Sequence, residues 1–451
     1  MSKPLQIGLA CAIGGAFSVL VFNPAPIYDP AAWLVWAAEL THRKMALEAG
    51  PSWKPLPVIV SAPATLISWE LAAIFWLWIV RASTILTSVM LWRLAASRGG
   101  AVAGAIAAIC PFLIGDWVQL ALGGGSEPVL MALALVAVKA HLAGRRWAAF
   151  GLGVAAGLLR PEAWAFLVLY GLWLLHRERG RAILPVTAGA VIQMIGWFVV
   201  PSAFGGDALQ ASRHARAYQD SVVPTGEFLE RTFNVMPWQV WILAAVGLFF
   251  AFRERDRLML LLAGGAALWV LEVGALTAFG YSGLGRYSLP AAVILGIHAG
   301  SGAGKLIRSA PAGAPRLATG AAILALSGTA LLNGATAAGA RFEKVQRIDA
   351  QAEQVRSLVA RAGGIQKLVA ICGRLGTNWT YSTTAAWRVR TTLGNVSARP
   401  IAPGIVIVRK GSRSETQPVP PLGTTGRKVL RSQGQWSIVL FTGNLPCQRP
   451  S

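Results

Sequence analysis

Apolar runs of bilayer length follow one another through the first three quarters of this chain, and no other feature constrains its fold as tightly. They lie near 5–22, 71–95, 99–115, 127–143, 147–160, 163–176, 182–200, 238–252, 258–279, 287–303 and 317–337. A hydrocarbon core of about 30 Å takes roughly 20 apolar residues in a helix. In water, such a chain would expose large apolar patches. Only 13% of its residues are charged and 55% are hydrophobic, whereas soluble domains are about a quarter charged. The sequence therefore reads as an α-helical polytopic membrane protein with about eleven transmembrane helices. The first run, Ile7 to Phe22, follows only Lys3 and lacks a small-residue cleavage site, so it reads as a retained anchor.

Basic residues set the expected orientation. Arg93/Arg98, Arg145/Arg146, Arg177/Arg179/Arg181, Arg253/Arg255/Arg257 and Lys305/Arg308/Arg316 fall in the turns after alternate spans. The positive-inside rule places those turns in the cytoplasm, with the N-terminus. Loops 23–57 and 201–237 are then outside, as is the region 338–451 after an odd number of spans. The net charge of +22 is spread over these turns with no nucleic-acid-binding motif beside it, so membrane headgroups are its natural partner and nucleic acid is not.

Two domains are expected: a membrane domain over 1–337, carrying the two outer loops, and a small extracytoplasmic soluble α/β domain over 338–451. In the latter, GGIQKLVAICG (363–373), GIVIVRK (404–410) and WSIVLF (436–441) read as strands separated by Pro/Gly turns. The region holds seventeen Lys/Arg against four Asp/Glu and two of the four cysteines, Cys372 and Cys447. An exported pair is consistent with a disulfide, and two free thiols are the alternative.

Polar residues gather at the outer side. Loop 23–57 carries Asp29, Glu39, His42, Glu48 and Lys54, and WKPLP leads into LPVIVSAPATLI, which Pro63 breaks and which reads as an interfacial or re-entrant helix. Asp116 and Glu127 bracket the turn between spans three and four, Arg160-Pro161-Glu162 separates spans five and six, and Arg286-Tyr287 lies between spans nine and ten. Charge in hydrocarbon is costly, so such clustering marks chemistry or transport.

Tyr28-Asp29-Pro30 soon after span one, the Lys-Pro-Leu-Pro stretch, Ser-Glu-Pro (126–128), LLRPEAW (158–164) and GRYSLP (285–290) together resemble the GT-C superfamily of polytopic glycosyltransferases. The likeness is to its protein-O-mannosyltransferase-like and actinobacterial wall-transferase branches, and it covers residues 1–337. It implies a cell-envelope enzyme that moves a hexosyl or pentosyl unit from a polyprenyl-phosphate donor to a glycan, lipid or protein acceptor at the outer face. Asp29 would be the catalytic base, and Lys54, Arg160 and Arg286 would bind the donor phosphate. Asp116, Glu127 and Glu162 are the alternative acids. Asp29 is followed by Pro30 rather than by a second acid, which leaves use of a divalent metal open; no metal ligand is assigned. A carboxylate near the acceptor hydroxyl can take its proton, and Lys and Arg complement a departing phosphate.

Each residue also has a plainer reading. Asp29 is a natural N-cap for AAWLVWAAEL, Arg160 and Glu162 can pair with each other, and Arg286 can be an interfacial arginine. Arg81, mid-span, can face the donor or pair with Glu70, and loop 201–237 is either a cover over the site or an amphipathic helix on the leaflet. The histidines lack zinc-site spacing, and GSGAGKLI (300–307) lacks the Walker pattern. The chief functional alternative is a transporter or flippase of lipid-linked sugars; a non-catalytic envelope scaffold is the third reading.

Overall fold

The computed structural model describes residues 3–23, 25–217, 223–377, 382–397, 403–410 and 424–443. It divides into two compact units: the first comprises 1–23, 78–193 and 215–344, and the second 24–77, 194–214 and 345–451. Every apolar segment anticipated above lies in helix. Among the described residues, five helices are long and apolar enough to cross a membrane, or up to seven if each sharply bent pair is one span. On the other anticipated spans, Leu289–Ser309 has 21 residues, whereas Arg146–Gly157 and Trp164–Glu178 have only 12 and 15. At about 1.5 Å of rise per residue the latter two fall well short of a full crossing of roughly 30 Å. The anticipated pair 71–95 and 99–115 is one assigned helix, Trp69–Ile109, broken at Gly100, whose φ of +79° ends the helical path.

In the first unit, glycine decides how closely helices approach. Gly296, Gly300 and Gly304 recur every four residues along the helix Leu289–Ser309 and form one face of it. A Cβ at Gly300 would come within 2.2 Å of the Ala103 carbonyl, and one at Gly304 within 2.2 Å of the Gly99 carbonyl. Gly302 meets Gly247 of the helix Trp238–Arg253 on another face. Helices in lipid lack a hydrophobic driving force toward one another, so backbone approach across small residues supplies much of the packing. GSGAGK is therefore a packing surface inside a helix and no phosphate loop.

The second unit contains a five-stranded sheet: β1 (Leu375–Gly376), β2 (Val396–Ser397), β3 (Gly404–Arg409), β4 (Thr424–Gln433) and β5 (Trp436–Gly443), in the order β2-β1-β3-β5-β4. β1 runs parallel to β2 and β3, while β3, β5 and β4 are antiparallel. Alternation in β3 sends Ile405 and Ile407 to a core with Val355, Leu358, Ile365 and Leu368, and Val406 and Val408 to the opposite face with Val439 and Phe441. Each such buried aliphatic contributes about 1.5–3 kcal/mol.

Strands were anticipated at 404–410 and 436–441, and both are present. The stretch 363–373 is different: Gly363 and Gly364 turn with φ of +95° and +89°, and Ile365–Cys372 is a helix. Its buried residues Ile365, Leu368, Val369 and Cys372 recur at helical spacing. The expected boundary at 337/338 falls inside a 48-residue helix, Ala314–Arg361. Cys372 is disulfide-bonded, while Cys11 and Cys110 are free; Cys447 lies outside the described residues.

Candidate active site

Of the residues expected to carry chemistry, Asp29 and Lys54 belong to the second unit, and Asp116, Glu127, Arg160, Glu162 and Arg286 belong to the first.

In the second unit, Tyr28–Thr41 is a helix with ten buried residues. Ile27 occupies its N-cap position and no side chain caps it, so Asp29 is not the N-cap anticipated above. Asp29 sits in the first turn, half-buried, where the helix dipole favours a negative charge. Indoles fix this helix: Trp33 meets Trp76 edge-on at 6.2 Å, Trp36 tilts against Trp53 at 5.8 Å, and Trp53 Nε1 donates to the Gly196 carbonyl. Lys54 immediately precedes the helix Pro55–Thr65, and its Nζ lies 4.9 Å from the Trp33 ring centre. Aromatic faces attract cations, so Trp33 holds the ammonium on the helix that carries Asp29.

Two tethers further fix that helix. Thr383 Oγ1 donates to the Tyr28 carbonyl at 2.6 Å. Glu39, 3% exposed, accepts from the Ala46 and Leu393 backbone N–H groups, both at 2.7 Å, one on each carboxylate oxygen. Burial pushes the Glu39 carboxyl up to about 7, and the two N–H donors pull the other way. Gln210 joins in, accepting from Trp53 N and donating to the Leu47 and Pro51 carbonyls.

In the first unit, Glu127 opens the helix Glu127–Leu142, and Arg160 leads into the 3₁₀ turn Pro161–Ala163 that holds Glu162. Arg160, 3% exposed, bonds to Glu127 through one terminal nitrogen and to Glu162 at 3.1 Å through the other. The anticipated Arg160–Glu162 pair is thus present, with Glu127 as a second partner from 33 residues earlier. The Tyr287 ring lies 5.1 Å from the Arg160 guanidinium carbon and 5.5 Å from that of Arg286. One aromatic ring is shared by two cations. Tyr287 is itself fixed, since its carbonyl accepts from Trp269 Nε1 at 2.7 Å and its hydroxyl lies 3.2 Å from Ser282 Oγ. Glu272, on the helix Arg257–Ala278, has a buried carboxylate oxygen without a hydrogen-bond partner among the described residues.

Asp116 pairs with Arg341 at 3.0 Å. Arg81 does not pair with Glu70, which instead bonds to Arg390. Arg81 is 3% exposed and donates to the carbonyls of Ser18, Phe22 and Leu122 at 2.7, 2.9 and 3.1 Å, with Asn23 at 3.5 Å. These carbonyls lie at or near the C-terminal ends of the helices Lys3–Val21 and Trp117–Gly123, where unpaired carbonyls carry partial negative charge. A counter-ion made of backbone could not be read from side-chain types. The Arg160 cluster was more accessible, since all of its members are polar residues at the ends of apolar runs.

Among the described residues, no group of three or more His, Cys, Asp or Glu gathers closely enough to hold a metal ion.

Solved structures share this fold of a largely helical chain with a small sheet-bearing unit. The chain is similar to the apo structure of ArnT from Cupriavidus metallidurans at 17% identity and a TM-score of 0.57, covering 96% of this chain and 97% of that one. The same protein bound to undecaprenyl phosphate matches at 15% identity and a TM-score of 0.57, with the same coverage. The oligosaccharyltransferase of Archaeoglobus fulgidus, tethered to an acceptor peptide, matches at 11% identity and a TM-score of 0.53, covering 89% of this chain and 69% of that one. No family profile and no curated protein sequence matches the chain. At these identities the likeness establishes the fold.

Proposed function

We propose that the protein is a membrane glycosyltransferase that moves a sugar from a polyprenyl-phosphate-linked donor to an acceptor hydroxyl at the outer face of the membrane. The observation that carries this reading is the pair of guanidiniums, Arg160 and Arg286, on one tyrosine ring in a chain with the GT-C fold. That one structure of similar fold holds undecaprenyl phosphate supports the choice of donor class.

In the proposed step, the acceptor oxygen attacks the anomeric carbon while the bond from that carbon to the phosphate oxygen breaks. The acceptor proton passes to the Asp29 carboxylate, and the electron pair leaves with the polyprenyl phosphate. No external oxidant or reductant is needed. Lys54 in the second unit and Arg286 in the first are the two candidates for meeting the charge that grows on the leaving phosphate. Arg160, already opposed by Glu127 and Glu162, takes a different part from the one its sequence implied. It is a positioning residue that fixes Tyr287 and through it Arg286. Glu127 and Glu162 are bound to the same guanidinium and Asp116 to Arg341; Asp29, in the first turn of its helix, is the acid we assign as base.

Binding of undecaprenyl phosphate to the protein in nanodiscs, read by native mass spectrometry, tests the donor assignment. Arg286→Ala and Lys54→Ala are each expected to weaken binding about tenfold, the worth of one charge-assisted hydrogen bond. Unchanged occupancy in both variants would overturn it.

A further inference from the structure

The second unit contains a cleft that the proposed transfer does not use. It has a volume of about 690 Å³, and its walls include Glu70, Glu353, Arg356, Trp387, Arg388 and Arg390. That is the size of a site for a small organic ligand, typically about 300–1,000 Å³.

Three features give the cleft its chemistry. First, three guanidiniums line it, each held by a carboxylate: Arg356 by Glu353, Arg388 by Asp349 and Arg390 by Glu70. Each guanidinium has five N–H donors, so such a pair leaves others to bind a ligand. Second, Gly363, Gly364, Ile365 and Gln366 line the cleft where the helix Ile365–Cys372 begins, and no side chain caps that helix. Its first N–H groups and dipole favour an anion. The positive φ of both glycines makes the tight turn that leaves this end open. Third, Trp387 is 6% exposed, lines the cleft, and has an indole Nε1 without a hydrogen-bond partner among the described residues. The Arg388 guanidinium stacks on it at 4.4 Å, and Arg388 Nε is likewise buried without a partner. Buried donors without acceptors are rare in folded proteins.

The cleft thus offers donors in excess, an aromatic face, and two carboxylates, Glu70 and Glu353, that can accept from hydroxyl groups. We infer that it binds a saccharide bearing an anionic group, either a carboxylate or a phosphate. The anion would lie against the arginines and the open helix end, with the sugar hydroxyls on the glutamates. This inference concerns binding alone and does not depend on the transferase reading.

The experiment is equilibrium binding to the full-length protein in detergent, with no lipid donor present. The probes are galacturonic acid oligomers, glucose 1-phosphate, their neutral counterparts, and inorganic phosphate. At least one acidic saccharide is expected to bind ten or more times more tightly than its neutral counterpart and than inorganic phosphate. Arg356→Ala, at an exposed position, is expected to weaken that binding about tenfold. Trp387→Phe, which keeps an aromatic face but removes the N–H, is expected to weaken it several-fold. Equal binding of acidic and neutral sugars, binding of phosphate alone as tight as that of the sugar phosphate, an unaffected Arg356→Ala variant, or no binding at all would each overturn the inference. Because no donor is present, failure here leaves the transfer reaction to be judged on its own assay.

Discussion

Replacing Glu39 with glutamine should change how stability depends on pH, and the structure supplies both size and sign. The carboxylate accepts one backbone N–H on each oxygen, from Ala46 and Leu393. The amide can still accept one of them, but its NH₂ group then faces the other donor. A buried N–H left without an acceptor costs about 1–3 kcal/mol, so the variant should be less stable by that amount at pH 5. Burial raises the Glu39 carboxyl from an ordinary 4.5 to about 7 in the folded protein. A group raised on folding contributes stability that is complete below its unfolded value and is lost as pH rises through its folded value. Here the loss runs from about pH 4.5 to somewhat above 7 and amounts to about 3 kcal/mol. Glutamine does not titrate. The gap between wild type and Glu39→Gln should therefore shrink, or reverse, between pH 5 and pH 9. Thermal unfolding of both proteins in detergent at several pH values reads this directly, because other titrating groups cancel in the difference. A gap that stays constant across the range would refute the reasoning, as it would mean that Glu39 titrates like an exposed carboxyl.

Arg160→Ala strands Glu127 and Glu162 in a buried site and should cost about 3–5 kcal/mol, whereas the triple variant Glu127→Gln, Arg160→Met, Glu162→Gln removes all three charges together and should recover most of that loss. Thermal unfolding compares the two, and equal destabilisation would contradict the cluster as described. Arg81→Met removes donors from the ends of two helices and should destabilise by about 3 kcal/mol. Because Glu70 pairs with Arg390 and not with Arg81, Glu70→Gln should shift the unfolding temperature by the same amount in wild type and in Arg81→Met; unequal shifts would show that the two residues are coupled.

What could be read in the sequence follows the range of the interactions involved. Apolar length marked the helices, because a bilayer imposes it segment by segment. Short apolar runs bounded by Pro/Gly turns marked the strands at 404–410 and 436–441. The helix Ile365–Cys372 was mistaken for a strand although its apolar residues keep helical spacing, because a short β-branched run beside two glycines suits either state. Polar residues at the ends of apolar runs pointed to Glu127, Arg160, Glu162 and Arg286, but the ring of Tyr287 that serves both arginines was not anticipated. Partners far apart in sequence stayed hidden: Glu39 is 354 residues from Leu393, and a backbone N–H has no signature in the sequence. The same reason conceals the carbonyl cage of Arg81. Its cost in a span was legible, and its solution was not.

The central claim is that Asp29 is the base for sugar transfer from a lipid phosphate. It is tested most directly by measuring transfer in proteoliposomes from a panel of radiolabelled polyprenyl-phosphate sugars, comparing wild type with Asp29→Asn. Wild type is expected to transfer sugar from at least one donor, and Asp29→Asn, unfolding at the same temperature, to lose about a hundredfold or more of that activity, as for removal of a general base. Equal transfer by both proteins would move the base away from Asp29, and no transfer from any donor by wild type would contradict the enzyme reading itself.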